Sequence, residues 1–564
     1  MPGTPHRKLT PHGLRLLRGY RRGWLRPDAL AGITVAAYLI PQVMAYAGVA
    51  GLDPVAGLWA IIGSLLVYTV FGSSPQLSVG PESTTALMTA VTIAPLAAGD
   101  PARYAALAAA LALLVGVLCV LGAAARLGFL ADLLSRPVLV GYMAGVAVIM
   151  IVGQLGKISG VPVEGDSVLA ALRSFLANLG DVHPPTLLLG TGVLAFLLVA
   201  GRLLPKLPVP LFAVLLATGA VAVLSLRDHD VQVVGTIAAG VPVPGLPAVS
   251  GADLAGLLLP AIGVAVVGYS DNVLTARSFA TRNSYSIDAN AELLALGTAN
   301  LAAGLSHGFP VSSSASRTAI GDSLHSRSQV HSLVAVAAVV VVLLAGRPLL
   351  ESFPMAALGA LVIYAALRLI ELSEFRRIGA FRLSELALTV ATTAGVLLLD
   401  VLYGVLVAIG LSILDLMRRL ARPHDGILGE VPGVAGMHDV DDYPGATRIP
   451  GLVVYRYDAP LCFANAENFR RRALAAVDES PTPVEWFLLN AEANVEVDVT
   501  AVDALENLRT ELARRGIVFA MARVKQDLRD ILAKAGFLRR VGEDRIFPTL
   551  PTAVAGFRAR REDS

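Results

Sequence analysis

The stretch GVAVVGYSDNVLTARSFATRNSYSIDANAELLALGTANLAAGLSHGFPVSSSASRTAIGDSLHSRS, Gly263 to Ser328, decides how this chain folds. It begins as an apolar helix, places Asp271 where lipid would be expected, and breaks again at GFPVSSSASR, Gly308 to Arg317. An isolated carboxylate at the centre of an inserted helix costs roughly 2.5–3.5 kcal/mol, so such a residue faces a partner, an ion or a water-filled cavity. Broken helices are tolerated at membrane depth only where they line protein or a cavity. Together, the acid and the break predict a transport site near the bilayer midplane.

Composition supports a membrane setting. The chain has 564 residues, is 55% apolar and only 16% charged, with a mean hydropathy of +0.67. Soluble domains carry about 25% charged residues. The formal net charge of +2 comes with basic residues in loops, not on one face, so no nucleic-acid partner is implied. Cys119 and Cys462 fall in an apolar helix and a polar tail, which gives no disulfide framework. The nine histidines show no metal-ligand spacing. Residues 1–28 are basic without an apolar core and cleavage site, and read as a cytoplasmic leader, not a signal peptide.

Apolar segments then follow from Ala29 to about Leu420, with fourteen spans placed near 29–47, 55–72, 76–95, 104–123, 130–153, 185–204, 209–226, 256–276, 287–305, 308–325, 328–346, 354–370, 384–400 and 402–420. A crossing helix needs about 20 residues, so several of these are short or broken. An even count puts both ends of the chain on one side. Arginine and lysine concentrate in the loops assigned to the cytoplasm, among them Arg126, Arg136, Lys206, Arg277, Arg376 and Arg377.

An internal repeat is visible. LSVGPESTTALMTAV, Leu77 to Val91, matches HGFPVSSSASRTAIGD, His307 to Asp322, in having a short extended run, a proline and a hydroxyl-rich helix start. Upstream, IPQVMAYA (Ile40 to Ala47) lies against YSDNVLTA (Tyr269 to Ala276), pairing Gln42 with Asp271 and Tyr46 with Thr275. Seven spans per half force the two halves into opposite orientation, a 7+7 inverted repeat.

After Arg422 the composition changes. Residues 421–450 form a linker and the start of a second domain at 451–560, where strands such as Leu452 to Tyr457 alternate with helices. That alternation predicts a small α/β domain on a mainly parallel sheet.

Several separate motifs carry a resemblance: DALAGITVAAYLIPQVMAYA (Asp28 to Ala47), LSVGPESTTALM (Leu77 to Met88), FPVSSSASRTAI (Phe309 to Ile320) and IPGLVVYRYDAPLCFANAENF (Ile449 to Phe469) at the entry to the tail domain. Over roughly residues 25–555 the chain resembles SulP-family anion transporters, a transmembrane transport domain (29–420) joined to a C-terminal STAS domain. The resemblance implies a helical membrane fold like that of nucleobase–cation symporters, with a core domain moving against a gate domain. It also implies a homodimer.

In that fold, the helices after the two extended runs aim their N-termini at each other. Helix N-termini carry unpaired N–H groups and about half a positive charge, which makes an anion site. Ser83, Thr84, Ser312, Ser313 and Ser314 add hydroxyls, although runs of small residues also serve close helix packing. Gln42 and Tyr46 share one helix face. The resemblance implies that this face borders the substrate, with Gln42 as donor and Tyr46 closing the pocket. Asp271 and Thr275 are likewise four apart; in sodium-coupled relatives an Asp and a Thr here bind the ion, and in others a Glu fits proton coupling. Both Na+ and H+ stay open, as does a pair between Asp271 and Arg317. An acid beside an anion site requires a cation or proton to neutralise it, which argues for coupling. Arg317 sits in a first helical turn, where the dipole disfavours a cation. It reads as an anion attractor, a counter-charge to Asp271 or a side chain snorkelling to a cytoplasmic cavity. Glu82 departs from relatives with an uncharged residue there and leaves the charge of the substrate open. In the tail, Asp498 to Ala501 matches the phosphorylated turn of anti-sigma-factor antagonists, with Thr500 at the acceptor position and Ala501 replacing the glycine. A structural role is favoured over a phospho-switch.

The expected function is therefore secondary active transport of a small inorganic oxyanion, sulfate by family default, with no cofactor beyond a coupling Na+ or H+. Sodium-coupled bicarbonate transport, C4-dicarboxylate transport and uncoupled anion conduction are the alternatives. No metal cluster, nucleophile elbow or phosphate-binding loop suggests an enzyme. The expected location is the inner or plasma membrane, with both termini and the STAS domain cytoplasmic.

Overall fold

A computed structural model describes residues 12–132, 135–163, 165, 167–204, 208–238, 240–399 and 401–562. Residues 1–11 of the basic leader and Lys206, counted above among the cytoplasmic loops, lie outside the described residues. The chain forms two compact units, one through Ser412 and one from Ile413.

The first unit begins with a short helix, His12–Arg18, and also holds Val168–Ala177, Arg347–Glu351 and Leu372–Phe381, further short helices that the sequence reading did not place. Fourteen other helices correspond one to one with the segments read from the sequence, the last of them crossing the boundary between the units. These are α1 (Leu25–Val49), α2 (Pro54–Phe71), α3 (Ser83–Ala97), α4 (Pro101–Ala124), α5 (Arg136–Ser159), α6 (Pro184–Leu203) and α7 (Val209–Val223) in one half. The other half has α8 (Gly251–Arg282), α9 (Ala289–Leu305), α10 (Ala315–Ser323), α11 (Val330–Ala345), α12 (Met355–Leu369), α13 (Leu383–Leu399) and α14 (Val401–Ala421). Among the described residues, seven helices are long and apolar enough to cross a bilayer on their own. Of the others, α10 has only nine residues, a rise of about 14 Å. Local chemistry sets the starts. Asp100 caps α4 ahead of Pro101, Ser250 and Asp253 close a capping box at α8, and Asp288 caps α9.

The packing repeats across the halves. Helix α1 lies on α11 as α8 lies on α4, and α5 lies on α13 as α12 lies on α6. Helices α1–α4 and α8–α11 form one group and α5–α7 with α12 and α13 another, the division expected of core and gate. Helix α5 approaches α13 closely, since a Cβ at Gly141 would collide with the Thr389 carbonyl oxygen, and α4 lies close on α9, where a Cβ at Gly297 would lie 2.9 Å from the Gly116 carbonyl oxygen. Small residues let these backbones approach in place of a hydrophobic driving force.

Both α3 and α10 start in mid-protein, each after an extended run. Strand β1 (Val79–Gly80) pairs antiparallel with β2 (Ser312–Ser313), in the register Val79 to Ser313 and Gly80 to Ser312. The second strand lies two or more residues later than the run the sequence suggests, so Ser312 and Ser313 belong to the strand and α10 starts after Ser314. Side chains complete the backbone bonds. Asn300 of α9 donates to the Val311 carbonyl (3.0 Å) and accepts from the Val311 N–H (2.9 Å). Gln329 donates to the carbonyls of Ser74 and Leu77, both at 2.9 Å.

A second buried anchor is Glu292 of α9, fully inaccessible to solvent. Its carboxylate accepts from Tyr68 Oη, from the N–H and Oγ of Ser73, and from Asn272 Nδ2, at 2.7–3.0 Å. It thereby fixes α8 beside α2 at the residue next to Asp271.

The second unit is a six-stranded mixed sheet in the order β4-β3-β5-β6-β7-β8, formed by β3 (Asp425–Glu430), β4 (Met437–Asp439), β5 (Leu452–Tyr457), β6 (Trp486–Asn490), β7 (Val518–Ala522) and β8 (Ile546–Phe547). The last four strands pair in parallel, as the alternating pattern requires. An antiparallel hairpin, β3 and β4, completes the sheet from residues that read as linker. Their glycine- and aspartate-rich composition hides the strand pattern. Phe469, Phe487, Leu508 and Phe537 are fully buried in the core on one sheet face.

Replacing Asn300 by Leu leaves both Val311 backbone groups unpaired in a dry interior, at about 1–3 kcal/mol each. Asn300→Leu is expected to lower the thermal unfolding temperature of the purified protein far more than Thr298→Val, whose hydroxyl bonds only its own helix.

Candidate functional site

The crossing of β1 and β2 gathers residues from four helices. Arg317, in the first turn of α10, is 0% exposed. Its Nε donates to Ser78 Oγ (3.2 Å), and Nη1 donates to Gln42 Oε1 (3.2 Å) and to the Pro81 carbonyl (2.9 Å). Nη2 has no hydrogen-bond partner. It lies against β1, where a Cβ on Gly80 would fall 3.3 Å from it and collide with Ile61. Glycine here is what lets the guanidinium approach the strand.

Two readings of Arg317 are therefore corrected. It forms no ion pair with Asp271; its Nε and Nη1 bond Ser78, Gln42 and Pro81 instead. Nor does it snorkel, because those bonds hold it inside the helix group. Gln42 and Tyr46 do share a face of α1. The Gln42 amide donates to Tyr46 Oη (3.1 Å) while its oxygen accepts from Arg317, so Gln42 positions the arginine as well as the tyrosine.

Asp271 on α8 is half-buried and faces β2. Ser312 Oγ lies 2.8 Å from the Gly268 carbonyl and 3.5 Å from Asp271 Oδ2; Ser313 Oγ lies 3.5 Å from the Asp271 carbonyl. These two hydroxyls thus turn towards α8 and its acid instead of extending the end of α10. Ser314 is the residue that caps α10, accepting from the Arg317 N–H at 3.4 Å. Thr275 is buried one turn beyond Asp271.

The α3 end differs from the expectation of open donors. Glu82 is its N-cap, and its carboxylate accepts from the Thr84 N–H (2.7 Å) and from Ser83 Oγ. Thr84 Oγ1 contacts Met143 Sδ of α5 at 3.9 Å. Glutamate does here what a serine does at α10, but with a full negative charge. Between α1, α7 and α12 Tyr38, Gln42, Tyr46, Pro210, Leu361 and Tyr364 line a small cleft of about 10 Å³, room for about one water molecule, so the α1 face of the site is nearly closed here.

Sequence reasoning missed Ser78, Glu292 and Asn300. Glu292 had a signal, an acid inside the apolar run ELLALGTANLAAGL, but lay close enough to a span end to pass as a loop residue. Thr500 is exposed in the first turn of the helix Val499–Arg514, where Asp498 caps by accepting from the Ala501 N–H at 2.8 Å.

The fold and the crossed half-helices define a multi-pass membrane transporter, not an enzyme. The chain belongs to the sulfate permease family, which matches residues 25–392, and a STAS domain matches residues 443–553. It is 62% identical over 548 residues to a probable sulfate transporter of Mycobacterium tuberculosis, covering 97% of this chain and 98% of that protein. Its fold matches the murine Solute Carrier 26 family member A9 anion transporter with a TM-score of 0.91 at 23% identity, over 99% of this chain and 96% of that one. The transmembrane domain of a cyanobacterium bicarbonate transporter, BicA, aligns with 68% of this chain and 98% of its own length at a TM-score of 0.63 and 21% identity.

A lysine cannot hold three oxygens in the plane of a guanidinium and still present a free donor. Arg317→Lys is expected to weaken sulfate-induced thermal stabilisation of the full-length protein by at least about tenfold in sulfate concentration, given about 1.5–3 kcal/mol per charged hydrogen bond. Unchanged stabilisation would show that Nη2 does not meet the anion.

Proposed function

We propose that this protein is a secondary active transporter that carries sulfate across the cell membrane by alternating access, coupled to H+ or Na+ through Asp271. The observation that carries the reading is the buried Arg317 guanidinium, bracketed by Ser78, Gln42 and Pro81, with an unpartnered Nη2 beside the β1–β2 crossing. A buried cation without a carboxylate partner is costly, and a bound oxyanion supplies the missing charge and acceptors. Relatives named as probable sulfate transporters support the choice of oxyanion.

Asp271 supplies the reason for coupling. It lies across β2 from the arginine, and an ionised carboxylate there opposes the substrate. A proton on Asp271, or a sodium ion held by it with Thr275, removes that opposition. Movement of α1–α4 and α8–α11 against α5–α7 and α12–α14 would then carry the loaded site past the cleft at Tyr46. A homodimer in the plasma or inner membrane, with both termini and the STAS domain cytoplasmic, completes the proposal. Thr500 is assigned a structural role at its helix start.

The test is uptake of labelled sulfate and bicarbonate into proteoliposomes under imposed proton or sodium gradients. Gradient-driven sulfate uptake in wild type, lost in Asp271→Asn, is the expected result, and the gradient that drives it names the coupling ion. Bicarbonate uptake without sulfate uptake would replace the substrate. Gradient-independent flux that survives in Asp271→Asn would replace the mechanism with uncoupled conduction.

A further inference from the structure

The two half-helices are capped by unlike groups, and the difference falls at the site. At α10 the cap is the neutral Ser314 hydroxyl. At α3 it is the Glu82 carboxylate, bonded to the Thr84 N–H at 2.7 Å and to Ser83 Oγ. Glu82 therefore occupies, with its own negative oxygens, donors that an anion would use at that end. It is half-buried, like Asp271, whereas Gln42, Tyr46, Ser83, Thr84 and Arg317 are buried. The second, independent sign of a ligand is the unpartnered Nη2 of the fully buried Arg317, held on the same side of the crossing by the Pro81 carbonyl, one residue before Glu82.

Charge balance then constrains the transported species. The site holds one guanidinium, two carboxyl groups and two helix N-termini worth about half a positive charge each. With Asp271 and Glu82 both ionised these roughly cancel, and a divalent oxyanion would enter with nothing to neutralise it. With both carboxyls neutral about two positive charges remain, matching a divalent anion. The titratable and charged groups within electrostatic reach of Glu82 on the surrounding helices are Tyr46 on α1, Tyr142 on α5, Asp271 on α8 and Arg317 on α10. Neither tyrosine can supply the missing positive charge, and Arg317 is already counted.

We infer that Glu82 is a tethered competitor of the substrate and a second proton carrier: each divalent oxyanion binds together with one proton on Glu82, in addition to the cation or proton at Asp271. Protonation frees the Thr84 N–H and Ser83 Oγ for the anion and turns Glu82 from acceptor into an O–H donor. The proton comes from the aqueous side on which the anion binds and leaves with it on the other. This inference rests on the proposed oxyanion transport and deepens it by fixing substrate charge and proton number.

The experiment counts protons. Purified full-length protein in weakly buffered, sodium-free solution at pH 9.5, where both carboxyls start ionised, is mixed with sulfate, and proton uptake is read with a pH indicator while calorimetry gives the sulfate bound. Two protons per sulfate are expected for wild type, one for Glu82→Gln and two again for Glu82→Asp, which keeps the acid. The pH dependence of sulfate affinity should follow, approaching a hundredfold per pH unit in wild type and tenfold in Glu82→Gln where the carboxyls are ionised before binding, because each linked proton contributes about tenfold. One proton or none in wild type overturns the inference whatever the variants do. Two protons in Glu82→Gln overturn the assignment to Glu82. Absence of sulfate binding and sulfate uptake in wild type is a different failure, that of the transport reading itself.

Discussion

Everything at the centre of the first unit depends on closing backbone hydrogen bonds where two helices begin inside the protein. In a low-dielectric interior an unpaired N–H or carbonyl costs several kcal/mol, so helix breaks at membrane depth need internal partners. Here the partners are the other half of the molecule. Strand β1 pairs with β2, the Ser314 N–H donates to the Ser78 carbonyl, and Asn300 and Gln329 close the flanking groups. Neither break is satisfied without the other half. The inverted repeat is thus a condition for having two helices begin inside the protein.

The same constraint positions the charge. Because α10 starts next to β1, its first-turn arginine comes into reach of Ser78, the Pro81 carbonyl and Gln42 of α1. Those contacts hold a guanidinium against the unfavourable end of its own helix dipole. They leave one donor nitrogen unused and keep the arginine off Asp271. Arginine and aspartate thus stay separate charges, the first bonded to Ser78, Gln42 and Pro81 and the second beside Ser312 and Ser313. Glu292 serves this arrangement from behind, since its bond to Asn272 fixes α8 at the position next to the acid.

Much of this was legible from residue order. Apolar runs located all fourteen helices, because burial and lipid exposure both demand apolar side chains over a span. Pro310 and the serines after it marked the second break. Gln42, Tyr46, Asp271 and Arg317 were identifiable by residue type, by four-residue spacing on a helix face and by their place beside the two breaks. The hairpin β3–β4 was not legible, since short glycine-rich strands at a sheet edge have little hydrophobic alternation to read.

Sequence by itself determined the membrane class, the number of helices, the internal duplication and the family, because each is written in hydropathy or in local motifs. Only the tertiary structure decided who touches whom across the repeat. Asp271 and Arg317 have opposite charges and lie 46 positions apart, so sequence permits their pairing; the crossing of β1 and β2 gives the arginine other partners. Glu82 and Ser314 occupy equivalent places in the two halves, yet one caps its helix with a carboxylate and the other with a neutral hydroxyl. Hydrogen bonds between residues more than 230 positions apart are set by packing geometry, and no local pattern encodes them.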